Sequence, residues 1–432
     1  MVEYFEAIPM SNLIRSARRR QFALPLLAVF MVVADFAPAQ DTPPGKIELS
    51  KMNPTGLLVD KYSYMAPPYN FYYFHHIDDL GFRTDFVRKP AAAYPLKEPT
   101  RAFSLKYRFH GKEYSLDDYL RRNDATSLVV LADDQIVYEK YLHGADQNSR
   151  FVSQSVGKSI VSILIGAALT EGRIKSVDDP VDKYLPYLAS SGYRGVPIKN
   201  ILEMATGVDY SENYSDPQSG AATIGAALIT GQPTFKNFVA SMKPTNVKPG
   251  TEFNYQSVNT QVLGLLLERV TGKRLNQYAE EKLWKKIGAQ NDAFFYESKD
   301  QPDTCAFACF NSTARDYARV GLMMMRGGIL GSERVVPESW VRESTTPGAD
   351  FLKPGASKAA GPLGYGYQWW IPPGKEGAFQ AIGIYGQSIY VNPTTHVVIV
   401  QTSAWPEPLG GVPDFEEENA IVQNALAHAA GK

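Results

Sequence analysis

Ser155-Val156-Gly157-Lys158 opens an apolar run, Ile160 to Leu169, in a chain of 432 residues. On a helix, positions i and i+3 share a face with Cβ atoms about 5–6 Å apart, so the lysine amine can reach the serine hydroxyl. A serine hydroxyl attacks poorly until something removes its proton. A lysine stripped of solvent among apolar neighbours is neutral enough to do so, and a helix N-terminus favours negative charge developing beside it. Gly157-Lys158-Ser159 also imitates the end of a phosphate-binding loop. That motif needs glycine five residues before Gly157, and Val152 stands there, so the nucleotide reading fails. Ser155 is the candidate nucleophile and Lys158 its candidate base. Four residues alone do not separate this from an unrelated serine beside a surface lysine.

Further along, Tyr255-Gln256-Ser257 follows the turn signal Pro249-Gly250 and precedes a helical pattern near Thr260. A tyrosine beside a lysine amine could exchange protons with it, and Ser257 could add a hydrogen-bonding group. Among 25 tyrosines, most are packing residues, so the triplet carries little by itself. Gly383-Ile384-Tyr385-Gly386-Gln387 opens a β-like stretch to Val391. Its glycines allow close approach of a ligand to backbone, and an N–H there could join that of Ser155 in an oxyanion hole. A tight turn between strands is an equal reading of the same five residues.

The rest of the chain places these boxes. Leu128 to Leu131 and Gln135 to Tyr141 read as strands joined at Asp133-Asp134. Helical patterns cover 155–169, 198–205 (closed by Gly207), 260–270, 275–287 and 311–325, with a short helical stretch over 181–188. Residues 209–235 read as a loop at first, with Tyr210, Tyr214, Asp216 and Pro217 facing a cleft. Tyr365 to Ile371, Gln387 to Val391 and His396 to Thr402 are β-like, and Asp414 is a natural N-cap for a last helix to Ala429. Strands near both ends with a helical middle predict one sheet built from distant pieces, carrying an inserted helical lobe.

Ordered along the chain are Phe151-x-x-x-Ser155-x-x-Lys158-Ser159, Ile201-Leu202-x-Met204-x-Thr206-Gly207, Phe253-x-Tyr255-x-Ser257-x-Asn259 and Gly383-x-x-Gly386-Gln387. This set resembles the serine β-lactamase and penicillin-binding-protein superfamily. The nearer likeness is its class C-like branch, with its D-alanyl-D-alanine peptidases, esterases and 6-aminohexanoate-dimer hydrolases. Ala314-Arg315-Asp316-x-Ala318-Arg319 and Gly364-Tyr365-Gly366-Tyr367-x-Trp369-Trp370 are similar framework features. The resemblance implies an α/β fold, an antiparallel sheet flanked by helices with a second all-helical lobe. It also implies an acyl-enzyme on Ser155, with Lys158 as proton acceptor and Tyr255 acting in proton transfer to the leaving group. Ser257 occupies the place where class C β-lactamases usually have asparagine.

The third box, K-T-G in β-lactamases, is matched to Ile384-Tyr385-Gly386, where the basic residue is absent. Gly386, Gln387 and Ser388 are the substrate contacts expected there, with the Gln387 N–H as the second oxyanion donor. The missing basic residue and the tyrosine-x-serine box resemble the nylon-oligomer hydrolase and esterase branch. In that branch a tyrosine before the second box helps hold linear amides, and Tyr214 is its match. The expected activity is hydrolysis of a small linear amide or ester, without a cofactor. The rivals are a D-alanyl-D-alanine peptidase or β-lactamase, a carboxylesterase, and a non-catalytic periplasmic binding protein.

Composition sets the surroundings. A formal net charge of −1 and no basic stripe beyond the N-terminus give no reason to expect nucleic acid. Arg15, Arg18, Arg19 and Arg20 precede the apolar stretch Phe22 to Ala34, and Ala37-Pro38-Ala39 offers small residues for cleavage before Gln40. Residues 1–39 thus read as a signal peptide, with a retained anchor as the alternative. The mature chain is expected in the periplasm or secreted, without stable membrane insertion. Residues 40–114 form a proline- and aromatic-rich extension and 115–432 the hydrolase domain. Cys305 and Cys309, the only cysteines, can pair in an exported protein or lie one helical turn apart unpaired. The six histidines contain no H-E-x-x-H, and no metal is expected.

Overall fold

Val397-Val398-Ile399-Val400 is apolar at every position, the mark of a strand covered on both faces. A computed structural model describes residues 64–409 and 414–431 and shows how both faces are covered. The strands used below are β1 (Arg83–Val87), β2 (Ala125–Ala132), β3 (Gln135–Tyr141), β4 (Phe151–Val152), β5 (Ala293–Glu297) and β6 (Phe310–Ser312). They continue with β7 (Gly364–Tyr365), β8 (Trp370–Ile371), β9 (Phe379–Gly383), β10 (Gln387–Asn392) and β11 (Val397–Ser403). The helices are α1 (Val156–Thr170), α2 (Ile198–Leu202), α3 (Gly220–Thr230), α4 (Phe235–Ser241), α5 (Ser257–Thr271), α6 (Ala314–Met325) and α7 (Asp414–Ala430).

The main sheet has the order β7-β8-β9-β10-β11-β2-β3, antiparallel throughout. In β11, Val398 and Val400 enter one core and Val397 and Ile399 the other, as the period of two requires. On the first face α6 comes close enough that a Cβ at Gly321 would lie 2.6 Å from Val398 Cγ1. On the second, Val422 and Leu426 of α7 pack with Leu116 and Tyr119 of the short helix Leu116–Arg122. The sheet is thus built from both ends of the chain, with helices on either side.

A second, four-stranded sheet has the order β1-β5-β6-β4, and its last strand leads directly to Ser155. β1 belongs to the aromatic-rich extension, so the described part of that segment is more regular than its composition implied. Tyr64, Tyr73, Phe74, Ile77, Leu80 and Phe82 are buried in the main core. The Phe74 carbonyl accepts the Val152 N–H at 2.8 Å, so the extension buttresses the strand before Ser155. Residues 1–39, read as a signal peptide, lie outside the described residues. Among the described residues no helix is long and apolar enough to cross a membrane.

α1 is buried from Val156 to Ala168, which its apolar run anticipated. Two helices were not anticipated: α3, inside the stretch 209–235 read as a loop, and α4, which begins at its end. Ser219 accepts from Ala222 N at 3.0 Å and Thr234 from Asn237 N at 3.2 Å, both as side-chain N-caps, while Gly231 (φ 78°) ends α3. The small residues of Gly220-Ala221-Ala222-Thr223-Ile224-Gly225 blur the apolar stripe that would have announced α3. The expected helix over 181–188 is instead two 3-10 turns, Val181–Lys183 and Pro186–Ser190, separated where Pro186 cannot donate a hydrogen bond.

Candidate active site

Gln154, just before Ser155, has φ 43°, an uncommon conformation for a residue with a side chain. This kink joins β4 to α1. Ser155 then stands at the N-cap position with φ −67° and ψ −6°, and its hydroxyl makes no capping bond. Most serines at this position use the hydroxyl to satisfy the helix. Here it stays available for another partner. Among the described residues no acceptor takes the Ser155 N–H, which leaves it for a ligand.

That partner is Lys158. Its Nζ donates to Ser155 Oγ at 2.7 Å and to the Phe307 carbonyl at 3.0 Å, and the residue is 1% exposed. Burial lowers its pKa to about 8, opposed by the negative charge of Glu212. Tyr255 completes the group, with the Lys158 amine 5.1 Å from its ring centroid. Burial, reinforced by Glu212, pushes its phenol up, against an opposing hydrogen bond with Ser155. At neutral pH Tyr255 is therefore a phenol and a proton donor. Lys158 is the group whose neutral form is within reach, at about one molecule in ten at pH 7.

The second box is held by its neighbours. Gln256 donates to the carbonyls of Val208 (2.8 Å) and Tyr210 (3.2 Å) and accepts from Thr206 Oγ1 at 3.1 Å. Gly207 has φ 66°, and a Cβ there would lie 2.2 Å from the Val247 carbonyl oxygen, so only glycine fits. Tyr255 stacks on Trp370 at 5.4 Å, and Phe253 and Tyr365 pack at 5.0 Å. The result is an aromatic wall that reaches the Lys158 amine through Tyr255.

Ser257 and Tyr214 meet on Glu212. Ser257 donates its N–H to Glu212 Oε2 (2.7 Å) and its hydroxyl to Oε1 (2.6 Å), and Tyr214 Oη donates to Oε1 at 2.8 Å. The Tyr214 side chain is 37% exposed, able to meet an incoming molecule. Glu212 itself makes no salt bridge among the described residues and influences Lys158 and Tyr255 through its charge. Its role was not read from the sequence, where it is one acidic residue in a polar loop.

The third box moves by three residues. Gly383, at the end of β9, lies against the backbone of Ser153 to Ser155: a Cβ there would stand 2.6 Å from the Ser153 carbonyl oxygen and 3.0 Å from Ser155 N. Ala381-Ile382-Gly383 therefore takes the place assigned to Ile384-Tyr385-Gly386, which forms the following turn. The side chain of Gln387 points elsewhere, donating to the carbonyls of Tyr385 (2.9 Å) and Ser403 (2.7 Å). Ser388 is buried and accepts from Gln423 of α7 at 3.4 Å. A Cβ on Gly386 would strike Trp405. These three residues are committed to the sheet and its packing, while the Ile384 amide follows directly on the glycine beside Ser155. The basic residue is absent in the new alignment too, because Ala381 is buried at that position.

Gln368, the unspecified residue of the Gly364–Trp370 motif, ties the framework together. Its carbonyl accepts from Ser159 Oγ (2.6 Å), its Oε1 from Thr260 Oγ1 (2.7 Å), and its amide donates to the Leu202 carbonyl (2.8 Å). The Ala314–Arg319 motif is also structural: buried Asp316 accepts from the N–H groups of Gln290 and Asn291 and pairs with Arg319 at 2.9 Å. Cys305 and Cys309 are disulfide-bonded, with Cα atoms 5.7 Å apart. Three ligand-type side chains, His110, Asp414 and Glu417, converge at the surface, and none belongs to the group around Ser155.

A family model described as Beta-lactamase matches residues 116–421. A 6-aminohexanoate-dimer hydrolase from Paenarthrobacter ureafaciens is 32% identical over 363 residues, 80% of this chain and 88% of that one. A protein assigned as a D-alanyl-D-alanine carboxypeptidase in Escherichia coli (strain K12) is 26% identical over 211 residues, 44% of this chain and 48% of its own. A solved structure from Bacillus anthracis, assigned as a 6-aminohexanoate-dimer hydrolase, shares the fold with a TM-score of 0.75. It is 23% identical and covers 84% of this chain and 95% of its own.

Proposed function

The chain belongs to the β-lactamase family, and we propose that within it this protein is a serine hydrolase opening small linear amides or esters through an acyl-enzyme. One observation carries the reading: a buried lysine amine, its pKa lowered to about 8, 2.7 Å from a serine hydroxyl that makes no capping bond. Neutral Lys158 accepts the Ser155 proton as Oγ attacks the carbonyl. The N–H groups of Ser155 and Ile384 receive the oxyanion. Tyr255 donates its proton to the departing nitrogen or oxygen and regains one from the Lys158 ammonium. Water then enters by the same relay and releases the acid.

The substrate side is supported by the aromatic wall and by exposed Tyr214, which suit an apolar linear chain. The 32% identical relative named for 6-aminohexanoate dimer points to amides of this kind. A β-lactam or D-alanyl peptide presents a carboxylate, and the buried Ala381 gives it no cation at the third box. A periplasmic or secreted location is supported by the Arg-rich leader pattern and by the disulfide, which persists in oxidising compartments.

The test is intact mass after incubation with a fluorophosphonate, for residues 40–432 and for Ser155→Ala. A single adduct confined to the parent is expected, and its absence in a folded parent would overturn the assignment. Turnover of the linear 6-aminohexanoate dimer, a p-nitrophenyl ester and benzylpenicillin then ranks the substrate classes. Stable capture by penicillin would favour the peptidase reading.

A further inference from the structure

The Cys305–Cys309 bond closes a loop with a sequence separation of 4, and Phe307 is its apex. The Phe307 carbonyl accepts from Lys158 Nζ at 3.0 Å, and its ring centroid lies 5.8 Å from the same nitrogen. The flanks are clamped as well. Cys305 N donates to Glu297 Oε2 at 3.3 Å, Ala306 N to Gln261 Oε1 at 3.0 Å, and Tyr296 N to the Cys309 carbonyl at 3.1 Å. Ala306 fits against α5 because residue 264 is glycine, where a Cβ would stand 2.4 Å from the Ala306 Cβ.

A loop this short constrains the unfolded chain less than a long one, so its closure adds comparatively little to global stability. Its effect is local. A neutral amine has two N–H groups and one lone pair. An acceptor fixed on one side, here the Phe307 carbonyl, turns that lone pair toward the Ser155 hydroxyl. The Phe307 ring keeps water from the same side.

We propose that the Cys305–Cys309 disulfide is a positioning element for Lys158, holding the Phe307 carbonyl and ring against the amine so that it stays oriented and dry. The role follows from the reading of Lys158 as the base. Its test does not need turnover. The other titratable groups around the amine are Tyr255, whose ring lies 5.1 Å away, and Glu212, which acts through its charge. Neither belongs to the loop, and both remain when the bond is removed. Without the bond the apex relaxes and water reaches the amine. The burial that depresses its pKa weakens, and the pKa climbs.

The experiment is a carbon-13 NMR titration of lysine-labelled protein, with the Lys158 Cε signal assigned by its loss in Lys158→Met. The parent should titrate at about 8, and Cys305→Ala/Cys309→Ala roughly one unit higher, as partial rehydration of a buried cation requires. Circular dichroism checks that the variant is folded. Phe307→Ala keeps the bond and the carbonyl and opens only the ring side, so a smaller upward shift is expected. It decides the matter if the double variant does not fold. An unchanged Lys158 midpoint in folded variants overturns the proposal. A shifted midpoint beside a serine inert to fluorophosphonate would uphold the positioning role and sink the hydrolase reading alone.

Discussion

Replacing Lys158 with methionine should remove activity and stabilise the fold at neutral pH. The amine is 1% exposed, and its pKa falls from 10.5 to about 8 on folding. At about 1.4 kcal/mol per unit, keeping it charged inside the protein costs about 3 kcal/mol. The folded pKa is the lower one, so between pH 8 and 10.5 the unfolded chain binds more protons. The parent therefore gains stability as pH rises through that window. Methionine has a similar length and no charge, and the replacement forfeits the bonds to Ser155 and Phe307, each worth about 1 kcal/mol net. The variant should thus be about 1 kcal/mol more stable than the parent at pH 7 and about 2 kcal/mol less stable at pH 10.5. Guanidinium unfolding of both proteins at the two pH values measures the difference. A difference that does not vary with pH would refute the argument, because Lys158 would then carry an ordinary pKa and lack the means to act as base.

Three further outcomes can be checked. Glu212→Gln removes the charge that holds the Lys158 pKa up, so the acid limb of the rate of serine acylation should move below its parent midpoint of about 8; a move upward would contradict the assigned sign. Gly383→Ala should cut fluorophosphonate labelling at least about 100-fold with the fold retained, since its methyl would meet Ser153 O at 2.6 Å and displace the oxyanion donors; parent-like labelling would show that β9 is not the strand beside the reaction. Gln368→Leu strands the Thr260 hydroxyl inside the protein and removes the side-chain bond to the Leu202 carbonyl, which keeps the Gln368 backbone N–H, and chemical denaturation should record a loss of about 1–3 kcal/mol.

Much of the site was legible because its chemistry is local. Ser155 and Lys158 are one helical turn apart, and the apolar run behind them has helical character. Other features depend on residues far apart in sequence. Phe307 lies 149 positions from Lys158, and Glu212 lies 45 from Ser257. No periodicity connects such pairs. The third box went astray by three residues because two glycines, Gly383 and Gly386, offered equal anchors for one pattern. Only packing distinguishes them: Gly383 faces the Ser155 amide and Gly386 faces Trp405. Helix α3 was obscured for a different reason, small residues that carry almost no hydrophobic contrast.

By itself the sequence pointed to the class of chemistry, to Ser155 and Lys158 as candidate nucleophile and base, and to a sheet assembled from both ends of the chain. The spacing of Ser155 and Lys158 and the alternation of the strands follow from rules that any helix or strand must obey, and the class of chemistry came from the ordered set of boxes and the family they resemble. Tertiary structure alone decided how strongly Lys158 is desolvated, which glycine lies beside the Ser155 amide, and that the Phe307 carbonyl, inside a disulfide loop, accepts from the Lys158 amine. Those properties arise from what surrounds an atom in three dimensions, and the rings beside the Lys158 amine, Tyr255 and Phe307, come from stretches of chain far from it in sequence.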